Sequence, residues 1–215
     1  MIFRFAKLSD VKSLAKLHLE CGRHQPGGFM FKLGLSFLKI YYSLLINEES
    51  SIILIAIDQD GNLLGFCSGT MAAEEHLNNL KKNRFKIGIS ILPAIVKSPK
   101  MLANIIDREK FIFMKEGSIQ FGVVKGPRIE YWAWRHNEKS NMSIPLLKTW
   151  LKVVFDLGIT SIKAEVDIDR KNLLTIHKFL GAKVQEHLNL KDGRKRVIIE
   201  YSNKTTKFSM SNNID

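Results

Sequence analysis

Only two cysteines occur in the 215 residues, Cys21 and Cys67, in unrelated contexts. They supply neither a disulfide framework nor a metal-ligand spacing, so both read as small apolar packers in a reducing, cytoplasmic setting. Histidines, cysteines and carboxylates nowhere share a ligand-like spacing, and no metal is expected. Long hydrophobic runs are missing too. The most apolar stretch, Ile87 to Val96, is too short to span a bilayer and is interrupted by Gly88, Ser90 and Pro93. The opening "MIFRFAKLSDVKS" carries a charge at Arg4 with no long apolar run behind it, and does not read as a signal peptide. There are no internal repeats.

Acidic residues are also few, 21 against 33 Lys and Arg, which leaves a net charge of +12. Residues 81 to 110 concentrate the imbalance, with eight basic side chains and two acidic ones. Such a surface suits nucleotides, coenzyme phosphates, nucleic acid or acidic lipid; it also fits a merely solvated basic face. Hydrophobic residues make up 45% and charged residues 25%, the composition of a globular chain. Its length suits one α/β domain, or one domain with an insertion.

Periodicity orders the elements. "FRFAKL" alternates as a strand, and "SDVKSLAKLHLE" follows as a helix with Ser9 at its N-cap. "CGRHQPGGF" reads as a loop, and "FKLGLSFLKIYYSLLIN", apolar nearly all round, as a buried helix. "SIILIAID" and "LLGFCSGTM" form a hairpin around Asp60-Gly61-Asn62. Residues 74 to 117 look helical and basic, broken at Pro93 and Pro99, and resemble an insertion. "RIEYWAW" is a strand, "SIPLLKTWLKVVFDLG" a helix closed by Gly158, "SIKAEVDI" a strand, and "NLLTIHKFL" a helix stopped by Gly181. A second hairpin turns at Asp192-Gly193, and residues 202–215 lack apolar periodicity, as in a disordered tail. This order predicts a mixed sheet flanked by helices, with the helix over 143–157 joining two parallel neighbours.

The element order, together with "VDIDRKNLLTIHKFLGAKV" (Val166 to Val184), resembles the GNAT acyltransferases over about residues 1 to 201, outside the 74–117 insertion. The segment "LHLECGRHQPGGFMFKLGLSFLKIYYSLL" further resembles members of surface-polysaccharide pathways that act on nucleotide-linked amino sugars. The resemblance implies one mixed, mostly antiparallel α/β sheet whose fourth and fifth strands splay apart. It implies coenzyme A as the acyl carrier, with its pyrophosphate on the helix start after the fourth strand, where backbone N–H groups and the helix dipole favour anions.

The family's phosphate loop is glycine-rich; here the segment is "RHNEKSNMSIPLLKTW", residues 135 to 150, without glycine. Aligned on the following Leu-Leu, the glycine positions fall on Asn141 and Ser143, and the leading basic position on Glu138. Lys139, Ser140, Asn141, Met142 and Ser143 are therefore the coenzyme-binding candidates, with Lys148 as further charge. A plain capped helix, with Asn141 or Ser143 as the N-cap, is the alternative. His177 aligns with a tyrosine that protonates the departing thiolate, work an imidazole with a pKa near 6.5 can do. Arg170 stands where the family has an asparagine, with Asn172 two residues on; it is a candidate coenzyme contact, a solvated arginine being the alternative. The oxyanion donor falls on the backbone of Trp132, Ala133 or Trp134. The amine's base is Glu130 or Tyr131, which face opposite ways unless a bulge intervenes. Arg23 and His24 sit where the family builds its acceptor wall, whereas His18 reads as structural. Trp132, Trp134 and Trp150 read as core or as a pocket wide enough for a larger acyl group.

The resulting expectation is an acyl-CoA-dependent N-acyltransferase moving an acetyl or short hydroxyacyl group, such as 3-hydroxybutanoyl, to a nucleotide-linked amino sugar. Small-molecule partners are expected rather than nucleic acid, without a membrane span, and a homodimer is compatible with the chain. Two alternatives stand: an aminoacyl-tRNA-dependent transferase, and a non-catalytic binding module on a degenerate acyltransferase fold.

Overall fold

In the computed structural model the described residues are 1–24, 30–97, 122–135, 142–190 and 193–206. Strand β1, Ile2–Phe5, leads through a short 3-10 turn, Leu8–Asp10, into helix α1, Val11–Arg23. The N-cap is Asp10 rather than Ser9. The Asp10 carboxylate accepts the Lys7 N–H at 2.8 Å and the Arg4 guanidinium at 2.7 and 2.9 Å, which ties the turn back to β1. Helix α1 also runs past the expected loop start at Cys21. Gly22 does not break it; a Cβ there would collide with the Phe31 side chain, so this glycine serves close packing instead.

A 3-10 turn at Met30–Leu33 precedes helix α2, Gly34–Ile46, whose Phe37, Leu38, Tyr41, Tyr42 and Leu45 are buried. Strands β2, Ser51–Ile57, and β3, Leu63–Thr70, form the expected hairpin. Asp58 Oδ1 accepts the N–H groups of Asp60 and Asn62, and Gly61 takes a positive φ at the turn. Helices α3, Ala73–Lys82, and α4, Arg84–Lys97, occupy the first part of the segment expected to be helical. Pro93 lies inside α4 and does not end it. It is exposed, so the carbonyl that loses its helical donor can be met by water. Pro99 lies outside the described residues.

Strand β4, Arg128–Trp134, helix α5, Ser143–Asp156, strand β5, Ser161–Asp167, and helix α6, Lys171–Phe179, follow as the sequence predicts. Strands β6, Lys183–Asn189, and β7, Lys195–Ser202, close the chain as a hairpin. Residues 203–206, expected within an unstructured tail, turn back instead. Thr206 donates its hydroxyl to Ser202 O at 2.7 Å, and the Thr205 carbonyl lies where a Cβ on Gly181 would be. Residues 207–215 lie outside the described residues.

The seven strands make one sheet in the order β1-β2-β3-β4-β5-β7-β6, antiparallel except where β4 meets β5 in parallel. One face carries α5 and α6, with Leu146, Leu147, Trp150, Leu151 and Val154 packed on Ile162, Ala164, Val166, Val197 and Ile199. The other carries α1 and α2, with Leu14, Leu17, Leu38 and Tyr42 packed on Ile53, Ile55 and Phe66. Trp150 is fully buried and donates its indole N–H to Ile52 O at 3.1 Å, which makes it a core residue rather than a pocket wall.

Candidate active site

Parallel strands β4 and β5 are in register at a single pair, Arg128 and Lys163, where the Lys163 N–H donates to Pro127 O at 3.1 Å. Beyond that pair they diverge, so the expected splay is present, and it opens toward the C-terminal ends of both strands. Interior backbone left out of a ladder must find other partners, which makes such a gap a natural place for a ligand.

Backbone directions on β4 divide the three oxyanion-donor candidates. The Arg135 N–H donates to Leu64 O, toward β3, at 2.7 Å. N–H groups alternate sides along a strand, so Ala133 also faces β3, while Trp132 and Trp134 face the gap. The Trp134 carbonyl on that side is taken by the Cys21 thiol at 3.3 Å, whose pKa burial pushes up to about 11. The side chains of Trp132 and Trp134 lean toward the α5–α6 face. Both indole Nε1 atoms are buried without a hydrogen-bond partner among the described residues. Each such orphan costs about 1–3 kcal/mol unless a ligand or water meets it. Trp134 fits because β3 places Gly65 opposite it, where any Cβ would strike the indole.

Helix α5 starts at the same end of the gap. Its N-cap is Met142, one residue from either alternative the sequence offered, and Met142 makes no side-chain cap. No acidic residue lies in the first turn. A long helix with no acidic residue in its first turn suits a diphosphate. Lys139, Ser140 and Asn141, with Glu138, lie outside the described residues, so of the coenzyme-binding segment only Met142 and Ser143 are placed.

Two other expected elements meet at this mouth. Arg170, the N-cap of α6, donates to the His24 carbonyl at the end of α1, at 3.3 Å. Thus Arg23 and His24, both exposed and expected at the acceptor wall, lie at the end of α1 that Arg170, expected to contact the coenzyme, reaches. Asn172 is exposed in the first turn of α6.

Glu130 and Tyr131 do not face opposite ways. The register with β3 slips between Ser68 and Gly69, so Glu130 is an extra residue in a bulge, and both side chains reach the α1–α2 face. Tyr131 stacks flat on His18, centroids 3.8 Å apart, and His18 Nδ1 lies 2.6 Å from the Tyr42 hydroxyl. His18 is thus structural, as its sequence context suggests; burial lowers its pKa to about 3. Glu130 meets the Arg128 Nε at 2.5 Å, accepts from Tyr41 at 3.4 Å, and lies 4.0 Å from His76 Nε2. His76 Nδ1 in turn bonds Glu48 at 2.8 Å. Burial acts to lower the Arg128 pKa, but the Glu130 carboxylate outweighs it and holds the guanidinium above its ordinary value. The Arg128 guanidinium also donates to Val123 O at 2.6 Å, pinning the approach to β4.

His177 lies beneath the gap rather than open to it, 4% exposed. Its Nδ1 sits 2.5 Å from the Tyr201 hydroxyl, and its ring meets Trp132 edge-on at 5.7 Å. Burial lowers its pKa to about 4, so at neutral pH the ring is uncharged. The partly protonated imidazole expected from an unperturbed pKa is not what this environment provides.

Sequence reasoning missed the Arg128–Glu130–His76–Glu48 network, whose members come from three separate segments. It also missed the bridge in which Arg196 binds Asp167 and Glu165, each at 2.8 Å. For the second a signal existed: β5 alternates Ile162, Ala164 and Val166 with Lys163, Glu165 and Asp167, so one face of the strand had to be polar.

A mostly antiparallel sheet, parallel only where β4 and β5 splay beside the start of a helix, is the fold of the GNAT acyltransferases. Solved structures with this fold align along nearly the whole chain. An aminoglycoside 6'-acetyltransferase type Ii superposes with TM-score 0.56 at 14% identity, over 94% of this chain and 97% of that one. A ribosomal-protein-alanine N-acetyltransferase from Brucella melitensis gives 0.59 at 11%, over 94% and 99%. A candidate acetyltransferase from Salmonella typhimurium, yncA, solved with its cofactor acetyl-CoA, gives 0.56 at 11%, over 94% and 93%. No protein-family model and no curated protein matches the chain. At such identities the likeness is one of fold.

Proposed function

We propose that the protein is an acyl-CoA-dependent N-acyltransferase that transfers an acetyl or short hydroxyacyl group to the amine of a nucleotide-linked amino sugar. The observation that carries the transferase reading is the β4–β5 gap with the start of α5, which has no acidic residue in its first turn, at its mouth. The solved relatives add weight, since one is named for an aminoglycoside acceptor and another was solved with acetyl-CoA. The acceptor class rests on the segment around residues 17 to 45 and on the +12 charge, which suits a nucleoside diphosphate.

Acyl-CoA supplies the thioester to be cleaved, and this chain supplies position and polarity. The N–H groups at the front of α5 hold the diphosphate. The N–H groups of Trp132 and Trp134 face the gap and polarise the thioester carbonyl as negative charge develops on its oxygen. Glu130, beside the Arg128 guanidinium, takes the amine proton through water, with Tyr131 the second candidate. As the amide C–N bond forms, the C–S bond breaks and coenzyme A leaves as the thiolate, protonated from water. Neutral His177 buttresses Trp132 and orients its indole. Arg170, Arg23 and His24 line the mouth where donor and acceptor phosphates approach.

Thermal melts with coenzyme A, nucleotide amino sugars and tRNA test the reading against its alternatives, because a ligand that binds only the folded chain raises the midpoint. The expected result is a shift with coenzyme A and with a nucleotide amino sugar, followed by free-thiol release when acyl-CoA and that sugar are combined. A shift with tRNA alone would favour an aminoacyl-tRNA donor; a coenzyme A shift without thiol release from any amine would favour a binding module.

A further inference from the structure

Helix α4 is apolar on two opposite sides. Ile87, Ile91 and Ile95 pack toward α2 and its cluster. Phe85, Ile89, Leu92 and Val96 point away, exposed at 78%, 54%, 54% and 80%. Their spacing, i, i+4, i+7 and i+11, sets them in one stripe along the helix. Beside the stripe a Cβ on Gly88 would meet nothing within 4 Å, so that flank is open as well. A helix apolar all round is normally covered on every side.

The charges around the stripe say what covers it. Lys82, Arg84, Lys86 and Lys97 are exposed, Lys81 is half-buried, and residues 76 to 97 contain no Asp or Glu. A second copy of the chain, meeting this one face to face, would set these bases against their own duplicates, with no acid on either α4 to offset them. An anionic lipid surface satisfies both features at once: phosphates meet the lysines and arginines while the stripe enters the acyl boundary. At 14 residues α4 is about 21 Å long, too short for the hydrocarbon core of a bilayer. Among the described residues no helix is long and apolar enough to cross a membrane. The helix therefore lies in the plane of the surface.

We infer that α4 is an interfacial helix that seats the protein on membranes rich in anionic lipid. This rests on the stripe and its basic border, not on the acyltransferase reading, and either can fail alone. The full-length protein is sedimented with vesicles of equimolar phosphatidylglycerol and phosphatidylcholine, and with phosphatidylcholine alone. Binding to the mixed vesicles, weakened by salt and absent on the neutral ones, is the expected result. The double variant Ile89→Ser with Leu92→Ser should lose at least tenfold in vesicle affinity while keeping its melting midpoint and its response to coenzyme A. Lys82→Glu with Lys86→Glu, which leaves the stripe intact, should weaken binding to the mixed vesicles in the same way. Absence of sedimentation with anionic vesicles, or binding unchanged in both variants, would overturn the inference. So would a dimer in light scattering that the stripe variant dissolves, since that would give this face to a second copy.

Discussion

Arg128 and Lys163 lie opposite each other on β4 and β5, and among the described residues no other pair on these two strands does. Everything proposed for the site follows from that single point of pairing. One strand's backbone is left facing a gap, and the gap ends at the start of α5. Arg128 is also the buried cation that holds Glu130 within the bulge and Val123 on the approach. The residue at the hinge of the gap thus organises one of its walls.

Arg128→Met is expected to destabilise the fold by about 3–5 kcal/mol, because it leaves Glu130 as an uncompensated buried charge. Adding Glu130→Gln to that variant should restore a large part of the loss, which denaturant unfolding of the two single variants and the double one will show. Glu130→Gln alone separates structure from chemistry. Because it leaves the buried Arg128 guanidinium without its carboxylate, this variant too should lose about 3–5 kcal/mol of stability. If Glu130 serves as the base, kcat/KM of the folded protein falls about 100-fold or more as well. If only the melting midpoint moves, Tyr131 inherits the assignment.

His177 titrates near 4 in the fold and near 6.5 when unfolded. The folded pKa is the lower of the two, so the unfolded chain binds the extra proton. Stability is therefore full above about pH 6.5 and is lost as pH falls toward 4, by about 3 kcal/mol from this group. His18, buried with a pKa near 3, adds to the same slope. Unfolding free energies measured from pH 7 to pH 4 should decline more gently in His177→Gln. The rate profile should show no His177 limb near pH 6.5.

Tyr201→Phe removes the hydroxyl facing His177 Nδ1 and is expected to cost about 1–3 kcal/mol. If neutral His177 orients Trp132, turnover falls as well while coenzyme A affinity holds. A stability loss with unchanged turnover would leave the His177–Tyr201 pair a matter of folding alone.

Gly65→Ala places a methyl group against the Trp134 indole. The ring must move, with a stability cost of about 1–3 kcal/mol and a loss of turnover, readable together from melts and thiol release.

The fold was largely legible because its signals are local: β-branched alternation in "RIEYWAW", turn glycines at Gly61, Gly158 and Gly181, and the apolar face of α5. Errors arose where tertiary contact overrides local preference. Gly22 looked like a loop former but makes room for Phe31, and Pro93 looked like a helix breaker but sits where α4 faces solvent. Site chemistry was less legible still. Type and alignment identify His177, but only the packing of α6 shows that it is buried against Tyr201 and uncharged. The bulge that puts Glu130 and Tyr131 on one face appears only in the pairing with β3.

The central claim concerns the front of α5, and Met142→Asp tests it with two readouts of opposite sign. An Asp at the N-cap satisfies the first N–H groups and should stabilise the helix by about 1 kcal/mol. The same carboxylate occupies the diphosphate's donors and repels its charge, so calorimetric titration with coenzyme A should show affinity falling about tenfold or more while the melting midpoint rises. Wild-type protein that fails to bind coenzyme A, or a Met142→Asp variant that binds it as tightly as wild type, would contradict the account.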